Sequence, residues 1–243
     1  MMIEKSGTIR LKDIHIPQGG TPEQQELAQG MVRVNHLYRS ALKVAVTQLE
    51  ILDEEFASLY DHSPIHHIEY RIKTVDSIVE KLKRRGFEVT IDNIYAHIQD
   101  VAGVRVICSH PADIYQLAEA FLKQDDITLL QRKDYIANPK PNGYRSLHLI
   151  VETPIFLHDE KRLMRAEVQF RTISMDWWAS LEHKIRYKKD LAPEKAAYLE
   201  GELRQCAELS AALDQRMENL QRIAAGEAAV RGGGEKPPER KEF

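Results

Sequence analysis

Cysteine is scarce in this chain of 243 residues: Cys108 and Cys206 are the only two. They lie far apart and at no metal-ligand spacing, which argues against a cysteine-held metal. Both read as buried or incidental thiols of a reducing compartment. Long apolar runs are also missing. No stretch approaches the length of a membrane span, and the N-terminus has no signal-peptide core, so a cytoplasmic protein without a membrane partner is expected. Excess charge is absent too. With Lys+Arg 34 against Asp+Glu 37, the net charge is only −3. No global field draws nucleic acid, and any phosphate binding has to come from local clusters. No repeats are present. The length leaves room for one well-buried domain with extensions, or for two small ones.

What is present is periodic. Residues 1–20 carry little apolar pattern and read as a flexible arm. Thr21-Pro22-Glu23-Gln24 reads as a helix start, with Thr21 as N-cap, Pro22 at the first helical position and Gln24 placed to cap reciprocally. Leu27, Met31, Val34, Leu42, Val46, Leu49, Leu52, Phe56 and Leu59 continue at near-helical spacing, as one long helix or two broken near Gly30. Val75, Ile78, Val79 and Leu82 give a second helix its inner face, and Gly86 stops it. A short helix is expected near 91–98 and another over 112–123. Strands are expected over 103–109, 127–135, 146–152 and 164–171. Helices over 174–188 and 193–224 follow, then a Gly- and Pro-rich polar tail from about residue 226 that does not fold alone. The pattern predicts a mixed α/β (α+β) domain: a sheet of four or five strands surrounded by helices, with helical extensions at both ends. The strands over 146–152 and 164–171 are joined too closely for a crossover, so they should pair antiparallel.

Two clusters carry chemistry. The segment NPKPNGYRSLHLIVE (138–152) crowds Lys140, Asn142, Tyr144, Arg145 and His148 into a turn and strand. RAEVQFRT (165–172) then alternates, with Val168 and Phe170 on one side and Glu167, Gln169 and Arg171 on the other. A plain hairpin with one polar face accounts for the alternation. A basic, aromatic loop aimed at a carboxylate-bearing strand suits a phosphorylated, planar ligand with a metal ion. In the second cluster, Lys73, Ser77, Lys81 and Arg84 step by four, four and three along one side of a helix or its entry turn. That is either a solvated basic face or a rail for phosphates.

The segments HSPIHHIEYRIK, SIVEKLKRRG, IQDVAGVRVICS, KDYIANPKPNGYRSLHLIVE and RAEVQFRTISMDWWASLEHKIRYK occur in order from about His62 to Lys188. Together they resemble the synthetase domain of RelA/SpoT-type proteins, in the form of a small alarmone synthetase. The resemblance implies a nucleotidyltransferase-like fold and a GTP pyrophosphokinase. Such an enzyme moves pyrophosphate from ATP to the 3′-hydroxyl of GTP or GDP, giving (p)ppGpp and AMP. By the same resemblance Arg71 and Arg105 sandwich adenine, while Lys73, Ser77, Lys81 and Arg84 hold the ATP phosphates. Asp100 and Glu167 bind Mg²⁺, and Glu167 also activates the attacking hydroxyl. Tyr144 stacks on guanine, with Lys140, Asn142, His148 and Gln169 around the acceptor nucleotide. It further implies a homotetramer and a division into a helical extension (21–61), a catalytic domain (62–190) and a C-terminal helix (191–225), with the tail over 226–243.

Other expectations follow from particular residues. His158-Asp159 is the residue pair of the hydrolase found in longer relatives of that family, but it falls in a hairpin turn, so synthesis without hydrolysis is expected. Trp177 and Trp178 should pack their helix onto the sheet, with Glu182 bracing site residues from behind. The basic and aromatic pattern of a product-binding regulatory pocket is not clearly reproduced around Lys43, His66 and His67. Two alternatives stay open. One is a toxin-like relative that pyrophosphorylates the 3′ end of tRNA; the other is an inactive nucleotide- or RNA-binding module.

Overall fold

A computed structural model describes residues 2–4, 21–60, 62–186 and 192–226. The rest of the expected arm, Lys188 and most of the expected tail lie outside the described residues. The elements run β1 (Met2–Glu4), α1 (Pro22–Tyr60), β2 (Ile65–Ile72), α2 (Val75–Arg84), α3 (Ile91–His97), β3 (Ala102–Cys108), α4 (Pro111–Leu122), β4 (Thr128–Asp134), β5 (Leu147–Phe156), β6 (Lys161–Thr172), α5 (Ile173–Arg186) and α6 (Pro193–Ala224).

The expected mixed fold is present, with five long strands and one short edge strand in a single sheet of order β1-β2-β3-β6-β5-β4. β3 lies parallel to β6, and β5 pairs antiparallel with β6, as the short connection requires. Two strands differ from expectation. Met2–Glu4, expected to be part of a loose arm, joins the sheet edge parallel to β2. Ile65–Ile72 was not expected as a strand at all, because a bulge between Ile65 and His67 resets its alternation. Ile65, Ile68 and Ile72 are therefore the buried positions, spaced by three and four as in a helix.

α1 lies across one face of the sheet. Its Met31, Val34, Leu42, Val46, Leu49 and Leu52 share one core with Val104, Val106, Leu149, Val168 and Phe170. The helix is unbroken at Gly30, which serves close packing. A Cβ there would sit 2.7 Å from Ile91 Cγ1, so glycine is where α3 presses onto α1. With one sheet face sealed by α1, the alternate residues of β2, β3, β5 and β6 are presented on the other.

α6 docks chiefly through polar groups and one tryptophan. Asp214 accepts hydrogen bonds from Thr172 (2.6 Å) and Ser174 (2.7 Å). The buried Trp178 donates its indole N–H to the Leu203 carbonyl at 2.8 Å. Trp178 thus joins α5 to α6 and not to the sheet as expected, and Trp177 is exposed. Of the two cysteines Cys108 is buried and Cys206 exposed.

Candidate active site

On the sheet face away from α1, a cleft is lined by Glu69, Arg71, Asp100, Gly103, Arg105, Glu167 and Gln169 among others. Register explains the gathering. Arg71 pairs with Gly103, Glu69 with Arg105, and Gly103 in turn with Glu167. Arg71 and Arg105 are therefore diagonal neighbours on adjacent strands, about 7–8 Å apart. Their side chains rise from neighbouring positions on the same face of the sheet. Gly103 opposite Arg71 keeps the floor between them low. Arg105 is anchored by Glu69 (2.9 Å) and Asp176 (3.2 Å). Its pKa is lowered by burial and by the neighbouring Arg171.

Asp100, just ahead of β3, is gripped by two ammonium groups: Lys81 Nζ at 2.7 Å and Lys73 Nζ at 3.0 Å. Burial pushes the Asp100 carboxyl up, but hydrogen bonding and charge from Lys81 and Lys73 outweigh it and hold the group below its ordinary value. The basic rail is only partly convergent. Lys73 precedes the N-cap Thr74 of α2, and Lys81 lies two turns on. Ser77 sits at the helix entry, where its hydroxyl and backbone N–H both meet the Thr74 hydroxyl. Arg84 stands exposed in the last turn, outside the cleft.

Glu167 is the end point of a closed ring of side chains. His148 Nδ1 lies 3.1 Å from its Oε1, and Gln169 Nε2 donates to its Oε2 at 2.9 Å. Tyr144 Oη lies 2.8 Å from His148 Nε2. Arg171 Nη2 closes the circuit, donating to Tyr144 Oη at 2.8 Å and to Gln169 Oε1 at 3.2 Å. Burial raises the Glu167 carboxyl, but His148 and Gln169 hold it below the ordinary value while Asp100 pushes it up. Asp100 and Glu167 both line this cleft.

The loop before β5 completes the site. Lys140 Nζ sits 4.6 Å from the Tyr135 ring centroid and 4.7 Å from that of Tyr144, a paired cation–π contact. Asn142 accepts the Tyr144 backbone N–H at 3.2 Å and donates to Glu182 at 3.2 Å, so Glu182 does brace the loop from α5. Gly143 has φ +89, and a Cβ on it would lie 2.6 Å from Ala207 Cβ. Its glycine is explained by the close approach of α6, which Arg145 reinforces by donating to the Ala207 carbonyl at 2.7 Å.

Four participants escaped the sequence: Glu69, Arg171, Asp176 and Tyr135. The alternation of β6 placed Arg171 on the right face, but only the fold shows its partners. Asp176, in the first turn of α5, takes Arg171 at 2.9 Å and Arg105 at 3.2 Å. Among the described residues no three of His, Cys, Asp and Glu converge on a metal position. The fit to a hard cation rests on Asp100 and Glu167 facing one cleft, two oxygen donors that suit an ion completing its shell with substrate oxygens and water.

A mixed sheet with paired carboxylates, flanked by two arginines on one side and an aromatic, basic loop on the other, defines a nucleotide-handling transferase domain. The profile described as "Region found in RelA / SpoT proteins" matches residues 70–192. The chain belongs to the RelA/SpoT family. It is 45% identical over 181 residues to the GTP pyrophosphokinase YwaC of Bacillus subtilis, covering 74% of this chain and 85% of that protein. Over 181 residues it is 34% identical to the B. subtilis GTP pyrophosphokinase YjbM, covering 72% and 83%. Among solved structures it resembles small alarmone synthetase 2 of B. subtilis (TM-score 0.68, 42% identity, 77% of this chain and 95% of that one). It also resembles small alarmone synthetase 1 of the same organism bound to its product pppGpp (TM-score 0.71, 31% identity, 81% and 99%).

Proposed function

We propose that the protein is a GTP/GDP pyrophosphokinase that makes (p)ppGpp, working in the synthetic direction only. The observation that carries this reading is that Asp100 and Glu167 line one cleft with Arg71 and Arg105, while His148 links Glu167 to Tyr144. ATP occupies the arginine side, with adenine between the two guanidinium planes. Lys73 and Lys81, freed from Asp100, turn to its phosphates with Ser77 beside them, and Arg84 reaches them only from outside the cleft. GTP or GDP occupies the other side, with guanine on Tyr144 and Lys140, Asn142, His148 and Gln169 around it.

Moving pyrophosphate as a unit with AMP leaving requires attack at the β-phosphorus of ATP. The acceptor 3′-oxygen forms the new P–O bond, the bond to the α-phosphate oxygen breaks, and the 3′-hydroxyl proton passes to Glu167. Held below its ordinary pKa, that carboxylate is ionised at neutral pH and free to accept the proton. Asp100 and Glu167 would hold Mg²⁺, which when bound supplies charge neutralisation on the phosphoryl oxygens. Lys73 and Lys81 bring further positive charge to the same oxygens.

The reading extends to assembly and place. Leu209, Leu213, Met217 and Leu220 stand exposed along one side of α6, which supports a homo-oligomer, a tetramer by family likeness. We assign catalysis to residues 62–190, flanked by the helical segments 21–61 and 191–225, in a cytoplasmic protein that draws on ATP and GTP. Purified protein incubated with ATP, Mg²⁺ and either GDP or GTP should release AMP and a 3′-pyrophosphorylated guanosine nucleotide in equal amounts. No such product, or product only when tRNA is the acceptor, sinks the reading.

A further inference from the structure

Arg171 is 6% exposed, yet it touches neither of the paired carboxylates. Its side-chain hydrogen bonds go to Tyr144 and Gln169, which belong to the ring around Glu167, and to Asp176, which also holds Arg105. Among the described residues its Nε is buried without a hydrogen-bond partner, so the guanidinium is held by the fork and by its place over the Tyr144 ring, 5.2 Å from the centroid. What the fork does follows from hydrogen-bond bookkeeping. An arginine has donors and no acceptor. Tyr144 Oη must therefore accept from Nη2, and its single proton is left for His148 Nε2. In the neutral imidazole an Nε2 that accepts puts the ring proton on Nδ1, which points at Glu167 Oε1. The same Nη2 draws Gln169 Oε1 toward itself, which turns the amide NH₂ onto Glu167 Oε2. Both oxygens of the carboxylate thus receive donors, and the donor-only guanidinium and the acceptor-only carboxylate impose the same polarity from opposite sides of the ring.

Resting on the assignment of Glu167 as the group that takes the acceptor proton, we propose that Arg171 is a positioning residue. It sets the tautomer of His148 and the amide orientation of Gln169, so that Glu167 is fixed in place as an acceptor. A residue with both donor and acceptor capacity at this position could not impose that polarity. Without the fork, Tyr144 is free to accept from His148 Nε2–H. Only the carboxylate then favours the Nδ1–H form, and the opposite tautomer, which leaves Glu167 without its donor on that side, becomes accessible. Asp176 on Nη1 keeps the fork from rotating out of this arrangement.

The test uses the full-length protein with ¹⁵N-labelled histidine at pH 8, where an ordinary imidazole is neutral, with the His148 signals assigned by their loss in His148→Asn. The wild type should show the Nδ1–H tautomer. Arg171→Met should move His148 to the Nε2–H form or a mixture, and should lower kcat at least tenfold while the KM for ATP changes less than threefold. Tyr144→Phe, which cuts the same relay with Arg171 in place, should also release the tautomer, so the proposal survives if Arg171→Met fails to fold. An Nε2–H wild type overturns it, as does a tautomer unmoved in Arg171→Met, or in Tyr144→Phe where Arg171→Met does not fold. Failure of the wild type to form product would instead strike the assigned reaction, and leave the spectral result standing.

Discussion

Replacing Glu167 by Gln separates chemistry from folding, because the structure sets the two magnitudes apart. The carboxylate accepts from His148 Nδ1 at 3.1 Å and from Gln169 Nε2 at 2.9 Å. An amide has one oxygen, so in either orientation its NH₂ meets a donor. Flipping Gln169 to compensate would turn its NH₂ onto Arg171 Nη2, now 3.2 Å from the amide oxygen. Shifting the His148 tautomer would strand the Tyr144 proton. One buried hydrogen bond is lost on any route, at roughly 1–3 kcal/mol. For a chain of this size each kcal/mol lowers Tm by about 2–4 °C. A native margin of about 5–15 kcal/mol absorbs that loss, so the variant stays folded. Removing a general base costs a factor of about 10²–10⁴ in rate, or roughly 3–5 kcal/mol of barrier. The expected variant therefore melts a few degrees lower, still binds ATP, and forms product at least a hundredfold more slowly. Product formation is read by anion-exchange chromatography, beside a thermal melt and an ATP titration. Turnover within tenfold of wild type would refute the assignment of Glu167 as base. A melting point below the assay temperature would refute the claim that the ring tolerates the change.

Tyr144→Ala should raise the KM for GTP or GDP about 5–150-fold, matching roughly 1–3 kcal/mol of base stacking. An unchanged acceptor KM, measured at saturating ATP, would remove the stacking role. Asp100→Asn should lose stability on the order of 1–3 kcal/mol at neutral pH, since Lys73 and Lys81 are left without their shared anion. Because the native pKa of Asp100 is depressed, its stabilisation is complete above the ordinary value of 3.8 and fades as pH falls through the native one. Urea midpoints of wild type and variant should accordingly differ most at pH 6 and converge toward pH 2; a constant gap would contradict the ion-pair account. Gly143→Ala combines a left-handed φ with a 2.6 Å contact to Ala207. It should cost about 1–3 kcal/mol and be partly relieved by Ala207→Gly, which a double-mutant melt can check.

How far the sequence could be read differs by element, for physical reasons. The bounds expected for the last helix coincide with α6 (Pro193–Ala224) because Pro marks its first turn and leucine spacing carries it to the end. The face of β6 was legible because strict alternation survives there. β2 was not, since its bulge gives the buried isoleucines a helical spacing, and a three-residue edge strand such as β1 has no period to read. The tryptophan in the interior was visible as packing, but its partner was not, since an indole donating to a distant carbonyl leaves no local mark. The candidate carboxylates and basic residues could be picked out one by one. The ring that joins Tyr144, His148, Glu167, Gln169 and Arg171 could not, because hydrogen-bond circuits depend on where strands lie side by side.

Asp176 spans the cleft's two halves, one oxygen reaching Arg105 on one side and Arg171 on the other. Whatever displaces Arg105 changes how that oxygen is shared with Arg171. A single carboxylate at the start of a helix thus ties two arginines of neighbouring strands, and neither moves without altering the charge the other faces.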